Sequence, residues 1–358
     1  MRRVLVTGGA GFVGSHIADA LVAAGVEVVV LDVAEHDPVD ARSGARDGVR
    51  SVRGDIRDRA VVERCLDGVD AVCHQAAMVG LGVDLGDLPG YVSHNDVGTA
   101  SLLAAIHRVG GVQRLVLASS MVVYGEGGYR CRVHGEVRPG PRAVEDLDAG
   151  RFEPRCPVCD EELEIERVTE SAPLDPRNVY AATKVHQEHL CSAFSRETGV
   201  PVTALRYHNV YGPRMPLDTP YAGVAAIFRS ALQAGRAPRV LEDGRQRRDF
   251  VHVRDVARAN VRALTAERPV TGPFNVASGD ARTVGEMAHA LVDAFGPNAP
   301  RPVVVGGYRL GDVRHIVASP ERARAILDFK ARVPFAEGVR EFARSPLRGA
   351  GLEVPTAG

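Results

Sequence analysis

Eight residues near the start of the chain, Thr7-Gly8-Gly9-Ala10-Gly11-Phe12-Val13-Gly14, constrain its fold more than any other segment. They separate a short β-branched run at 3–7 from a stretch of helical character at 15–24, so they form a strand-to-helix turn. Gly8 permits the tight turn, Gly11 lets backbone approach a phosphate, and Gly14 lets helix and strand pack closely. The amides of Phe12 and Val13 then open a helix whose N-terminus faces anions. Asp32 ends the second apolar run about 20 residues on, where a carboxylate accepts from ribose hydroxyls. The spacing predicts a dinucleotide site. Asp32 repels a 2′-phosphate and no arginine directly follows it, which favours NAD over NADP.

Similar apolar runs recur at 26–32, 50–53, 70–73, 114–118 and 201–205, with helical stretches at 59–66 and 98–109 between them. Strands alternating with helices predict an α/β chain built on a Rossmann-type, doubly wound parallel sheet. Gly54-Asp55-Ile56 follows the third run and is placed to hold an adenine, with Asp55 and Ile56 as its contacts. His74-Gln75-Ala76-Ala77 follows the fourth, with Ala76 lining the pyrophosphate and His74 a strand-end residue without a catalytic role. Residues 1–205 are expected to form the NAD-binding domain and 206–345 mainly a smaller α+β substrate lobe. Within the latter, 249–276 is expected to return to the first domain, and 346–358 is read as a loose tail. A formal net charge of −1 carries no footprint for nucleic acid or an anionic membrane. No apolar run reaches the ~18 residues of a membrane span, and the opening stretch does not read as a signal peptide. The expected location is the cytoplasm.

Two segments bear reactive side chains. Tyr180-Ala181-Ala182-Thr183-Lys184 sets Tyr and Lys at i and i+4 on one helical face. An ordinary tyrosine titrates near ~10. A lysine ammonium one turn away, beside a positive nicotinamide ring, favours the phenolate and so makes Tyr180 a base. Lys184 and Lys330 are the only lysines in a chain whose remaining basic residues are all arginine, which sharpens that reading. Leu115-Val116-Leu117-Ala118-Ser119-Ser120 reads as a buried strand ending in two hydroxyls. That end is where open α/β sheets bind ligands, and Ser120 is placed to bridge a substrate oxygen and the Tyr180 phenol.

Together these residues resemble the extended short-chain dehydrogenase/reductase family, in particular its NAD-dependent epimerases and dehydratases of nucleotide sugars. By that resemblance Ser120, Tyr180 and Lys184 are the catalytic set, and Asn95 is a structural residue on the cofactor side. Arg206-Tyr207-His208-Asn209-Val210-Tyr211-Gly212-Pro213-Arg214 is similar to a family segment with Phe where His208 stands, and implies that Asn209 donates to the substrate diphosphate. Arg247-Arg248-Asp249-Phe250-Val251-His252-Val253 implies Arg248 at a phosphate. Tyr308-Arg309-Leu310-Gly311-Asp312 adds Arg309 for phosphate and Asp312 for ribose. Related dehydratases carry acids directly after the catalytic hydroxyl; Met121 and Val122 stand there, so 4-epimerisation through a 4-keto sugar is expected instead. The whole-chain pattern, Pro220-Tyr221-Ala222-Gly223-Val224 included, looks most like the members acting on dTDP-L-rhamnose. The alternatives are a UDP-hexuronate or UDP-hexose 4-epimerase, an NDP-4-ketosugar reductase, and an NAD-bound scaffold without catalysis. The resemblance also implies a homodimer through the helix carrying Tyr180.

Residues 126–168 interrupt the alternation of strands and helices. They are polar and hold Cys131-Arg132-Val133-His134 and Cys156-Pro157-Val158-Cys159. Two closely spaced pairs, C-x₂-H and C-x₂-C, present four ligands on two tight turns. The expectation is a zinc-ribbon-like insertion with a structural zinc on Cys131, His134, Cys156 and Cys159. The metal would supply the stability that so short and polar a segment lacks.

Overall fold

The inner strands assemble because their apolar runs are buried on both faces, as a parallel sheet covered by helices requires, while the edge strand at 49–53 is largely exposed. In the computed structural model, residues 1–34, 48–80, 85–217 and 223–348 are described. Seven strands form the central sheet: β1 (Arg3–Thr7), β2 (Glu27–Asp32), β3 (Val49–Arg53), β4 (Ala71–His74), β5 (Arg114–Ser120), β6 (Val202–Tyr207) and β7 (Gly272–Val276). They are all parallel, in the order β7-β6-β5-β4-β1-β2-β3. The register sets Thr7 opposite both Leu31 and His74, and Ser120 opposite Tyr207. Thr7, His74, Ser120 and Tyr207 therefore end neighbouring strands at the same edge. The strand order reverses at β1, and the crevice beyond the carboxyl ends at such a point is where this architecture binds ligands.

Each face of the sheet buries its own core. On one, the helices Phe12–Ala23, Val253–Thr265 and Glu321–Leu327 pack Ile17, Leu21, Val256, Leu264 and Leu327 against β1, β6 and β7. On the other, Arg59–Cys65, Gly98–Val109 and Val179–Thr198 pack Val62, Leu102, Ile106 and Cys191 against β2, β4 and β5. The smaller lobe has a sheet of Asn209–Tyr211, Arg247–His252 and Ala281–Thr283. Helices Val224–Gln233, Val284–Phe295 and Phe335–Arg344 enclose Phe228, Met287, Leu291 and Phe342 beside it. Thr283 and Glu286 form a reciprocal capping box that starts the middle helix. Within 249–276, residues up to His252 thus belong to the lobe sheet, while the following helix and β7 belong to the central one.

Three short antiparallel strands organise the insertion, Gly135–Val137, Gly128–Cys131 and Glu164–Glu166 in that spatial order. The chain end differs from the loose tail expected at 346–358. Arg348 exchanges backbone hydrogen bonds with Met215 and Leu217, and its guanidinium donates to the Ala10 carbonyl. Those bonds hold the start of that segment against the glycine turn. Residues 349–358 of the expected tail, and Pro220-Tyr221-Ala222, lie outside the described residues.

Candidate active site

The glycine turn forms a cradle without side chains. Gly8 has φ +67°, and a Cβ there would stand 2.6 Å from the Ala76 amide nitrogen. A Cβ on Gly14 would stand 2.1 Å from the Gly8 carbonyl oxygen. The helix opens at Gly11 with no side-chain cap and no acid in its first turn, so nothing on it competes with an anion for the amides around Phe12 and Val13. Asp32 accepts from Ala10 N at 2.9 Å and Ala34 N at 3.1 Å, which ties the end of β2 to the turn. Asp55 accepts from Arg57, and that side-chain pairing holds its carboxyl below the usual range; Ile56 is buried beside it.

Behind the cradle runs a buried polar chain. Thr7 Oγ1 meets His74 Nδ1 at 2.7 Å, His74 Nε2 meets Thr99 Oγ1 at 2.9 Å, and Gln187 donates to Thr99 Oγ1 at 2.6 Å. Burial, and then the charge of Lys184, lower the His74 pKa to about 3, so the ring is neutral at ordinary pH. With both nitrogens engaged inside the core, it is a structural residue. Asn95 bonds the main chain of Met78 in both directions, at 2.8 and 3.0 Å, and donates to Thr183 Oγ1 at 2.9 Å. It thereby fastens the loop beyond β4 to the helix that bears Tyr180. Asn95 lies in a π-helical stretch, Val92–Val97, an arrangement often found at functional sites.

Ser120, Tyr180 and Lys184 come together at the carboxyl end of β5. The Val179–Thr198 helix starts from Asn178, whose side chain accepts from Ala181 N at 2.9 Å, and this sets Tyr180 in the first turn facing the strand end. The Ser120 hydroxyl lies beside the Tyr180 phenol, and its presence favours the phenolate. Lys184 is 3% exposed, donates to the Ala118 carbonyl at 2.9 Å, and lies 5.8 Å from the centroid of the Tyr180 ring. The electrostatics depart from the expectation for the phenol. Burial raises the Tyr180 pKa above the ordinary value, outweighing the effect of Ser120, and burial lowers Lys184 to about 8. Burial disfavours both charged forms, and the ammonium donates to the Ala118 carbonyl.

A buried ion pair that spacing alone did not disclose supports this helix one turn further on. Glu188 takes Arg206 in two bonds of 2.9 and 2.7 Å, and also accepts from Ser119. Arg206 donates in turn to the Tyr124 hydroxyl at 2.9 Å, and Tyr124 to Asn275 at 2.7 Å. The i+4 spacing of Lys184 and Glu188 was the available signal. His208 is buried, and burial lowers its pKa to about 3.

The residues expected at the substrate separate into two environments. Asn209 has a buried Oδ1 without a partner among the described residues. Arg248 is 6% exposed; it reaches Asp312 Oδ1 at 3.3 Å and donates to the carbonyls of Arg247, Val313 and Arg314. Arg309 is exposed. In the insertion, Cys131, His134, Cys156 and Cys159 bring their ligand atoms within 4.8 Å of one another. Cys131 Sγ is 3.6 Å from both His134 Nδ1 and Cys159 Sγ, and Cys156 Sγ is 3.6 Å from His134 Nδ1. Among the described residues, no helix is long and apolar enough to cross a membrane.

The model of the NAD dependent epimerase/dehydratase family matches residues 4–277. The chain is 33% identical over 348 residues to a dTDP-L-rhamnose 4-epimerase of Burkholderia thailandensis, covering 95% of this chain and 93% of the relative. It is 32% identical over 351 residues to a UDP-glucose 4-epimerase of Mycolicibacterium smegmatis, covering 94% and 96%. Among solved structures, the UDP-glucose 4-epimerase of Thermus thermophilus in complex with NAD superposes with a TM-score of 0.75. The two are 34% identical, over 95% of this chain and 97% of that one.

Proposed function

This chain belongs to the NAD dependent epimerase/dehydratase family, and we propose that it is a nucleotide-sugar 4-epimerase with NAD as its resident cofactor. The observation that carries the reading is the meeting of Ser120, Tyr180 and Lys184 beside a cradle that any Cβ at Gly8 or Gly14 would fill. The cradle and the uncapped helix end fit a pyrophosphate. Gly8, Gly11, Phe12, Val13 and Gly14 would hold it, Asp32 the adenosine ribose, and Asp55 and Ile56 the adenine. Ala76, Tyr180 and Lys184 would lie along the nicotinamide side. The chemistry the cofactor supplies there is reversible acceptance of hydride.

Tyr180 removes the proton of the C4 hydroxyl as C4 is oxidised, and Ser120 fixes that oxygen by a second hydrogen bond. Because burial holds the phenol neutral, its use as a base depends on positive charge reaching the pocket; Lys184 is the chain's own source. The 4-keto sugar turns over, and reprotonation by Tyr180 delivers the epimer with no net change in cofactor. Met121 and Val122, in the turn after Ser120, carry no group able to move a proton, which supports epimerisation over dehydration. Asn209, Arg248, Arg309 and Asp312 are assigned to the nucleotide side of the substrate.

The sugar we propose is dTDP-L-rhamnose, after the Burkholderia relative; a UDP-hexose is the alternative, after the UDP-glucose 4-epimerases. Incubation with dTDP-L-rhamnose, UDP-glucose and UDP-glucuronate, followed by NMR without added NAD, should give a C4 epimer from one of them. Tyr180→Phe should abolish that interconversion while retaining bound NAD, and near-normal turnover in the variant would overturn the mechanism.

The insertion is assigned a structural zinc on Cys131, His134, Cys156 and Cys159. Bonds of about 2.3 Å to sulfur and about 2.0–2.1 Å to nitrogen, at tetrahedral angles, separate S–S pairs by about 3.8 Å and S–N pairs by about 3.6 Å. Three of the ligand distances are 3.6 Å, which fits that polyhedron. Backbone hydrogen bonds, led by that of His134, hold the Cys131 thiol below its usual range, and a thiolate is the form that binds metal. A homodimer through the Val179–Thr198 helix is also proposed, supported by Leu88, Val92 and Val97, exposed on the segment packed beside it.

A further inference from the structure

The insertion does not stand apart from the substrate lobe. Its Arg142, with a side chain 6% exposed, pairs with Glu242 at 2.9 Å, lies 4.0 Å from Glu126, and donates to the Asp312 carbonyl at 3.0 Å. Its Glu153 accepts from Arg314 Nε at 3.0 Å and meets His315 Nε2 at 2.7 Å. Arg314 is fully buried and takes Glu242 and Asp243 as well, each at 2.7 Å. Glu126 accepts from the Arg314 amide at 3.0 Å, and Gly127 N donates to the His315 carbonyl at 2.9 Å. Residues 312–315 are thus gripped from one side by the insertion. From the other side the same residues are gripped by Arg248, through Asp312 Oδ1 and the Val313 and Arg314 carbonyls.

We infer that the metal-held insertion is a clamp on the nucleotide end of the substrate site, with Arg142 and Glu153 as its positioning residues. The inference rests on the assignment of Arg248 and Asp312 to the nucleotide and of zinc to the four ligands. Two physical arguments carry it. First, Arg142 is the guanidinium nearest Glu126 and shares Glu242 with Arg314; without it, Glu126 loses that charge and Glu242 keeps only Arg314, which leaves excess buried negative charge beside residues 312–315, to which the diphosphate end is assigned. Secondly, the insertion has little core of its own. Apart from Pro139 and Pro154, its buried apolar residues are Tyr129, Cys131, Leu147 and Cys156, with Val168 at its edge, and two of these are ligands of the cluster. Its hold on 312–315 therefore depends on the metal that closes it.

The test uses the full-length protein, with UDP and dTDP as calorimetric probes beside NAD. Zinc content is measured in parallel, and the KM and kcat of whichever sugar nucleotide turns over are compared. Arg142→Leu is expected to weaken nucleoside diphosphate binding and raise KM by about tenfold or more, with a much smaller change in kcat and no change in NAD affinity or zinc content. Arg142→Lys should recover part of the loss. Chelation of the zinc should reproduce the Arg142→Leu profile, and zinc added back should reverse it. Glu153→Gln, which leaves Arg314 its pairs with Glu242 and Asp243, should shift the same constants in the same direction. Nucleoside diphosphate affinity within about twofold of wild type in both variants and in the stripped protein would overturn the clamp. Protein that neither contains nor takes up zinc overturns the metal assignment, and with it the metal-dependent clamp. Wild type that binds neither UDP nor dTDP removes the functional reading itself, an outcome separate from the other two.

Discussion

Gly14→Ala isolates the part of the site that depends on backbone proximity. A methyl group at Gly14 would sit 2.1 Å from the Gly8 carbonyl oxygen, 2.8 Å from Gly9 Cα and 2.9 Å from Gly8 C. All three are backbone atoms, so no side chain can rotate away, and ordinary contact requires the helix to retreat from the turn by about 1 Å. Overpacking of that kind costs about 1–3 kcal/mol, against which the better helix propensity of alanine returns at most about 1 kcal/mol. Retreat also stretches an amide-to-phosphate hydrogen bond of about 2.9 Å to about 3.9 Å, beyond hydrogen-bonding range. Each charge-assisted bond so lost is worth about 1.5–3 kcal/mol. The loss of even one such bond predicts NAD binding weaker by at least about tenfold, read by calorimetry on cofactor-stripped protein and by the NAD content of protein as purified. Gly140→Ala is the matched control, since a Cβ there meets nothing within 4 Å, and it should leave NAD affinity unchanged. Gly14→Ala protein that binds NAD within about threefold of wild type would refute the argument that this turn cradles the pyrophosphate.

Two further outcomes follow from buried charge. Lys184 falls from 10.5 to about 8 through burial, so between those values the unfolded chain holds a proton the folded one has released, and stability rises with pH there. Lys184→Met should therefore be inactive yet more stable than wild type at pH 7, by up to about 3 kcal/mol, the gap closing from pH 8 to 10.5 in urea titrations; a less stable variant at pH 7 would contradict this. Glu188→Gln leaves the buried Arg206 guanidinium uncompensated and should lower the unfolding free energy by about 3 kcal/mol or more, and a loss below about 1 kcal/mol would show that the pair does not support the Tyr180 helix.

The parts of the site that were legible in the sequence are those where chemistry needs several residues at fixed local spacing. The glycine turn and the Tyr180/Lys184 pair are of this kind, because one turn of backbone decides whether the groups meet. Arg206–Glu188 and Arg142–Glu242 are not. Their partners are 18 and 100 residues apart, and among 44 basic residues, nearly all arginine, the identity of one carries little information. Titration marks another boundary. Spacing sets Lys184 one helical turn from Tyr180, but the direction of the Tyr180 shift depends on burial, and burial is a property of the whole sheet edge and its covering helices. The insertion shows both regimes within one segment. Its cysteine pairs could be read from their spacing, whereas its docking depends on Gly127, where a Cβ would stand 2.6 Å from the His315 carbonyl oxygen. A side chain at 127 would force the two strands of chain apart and cost the Gly127–His315 hydrogen bond that begins the contact. What makes that glycine necessary lies 188 residues away, so the requirement exists only once the lobe has folded beneath it.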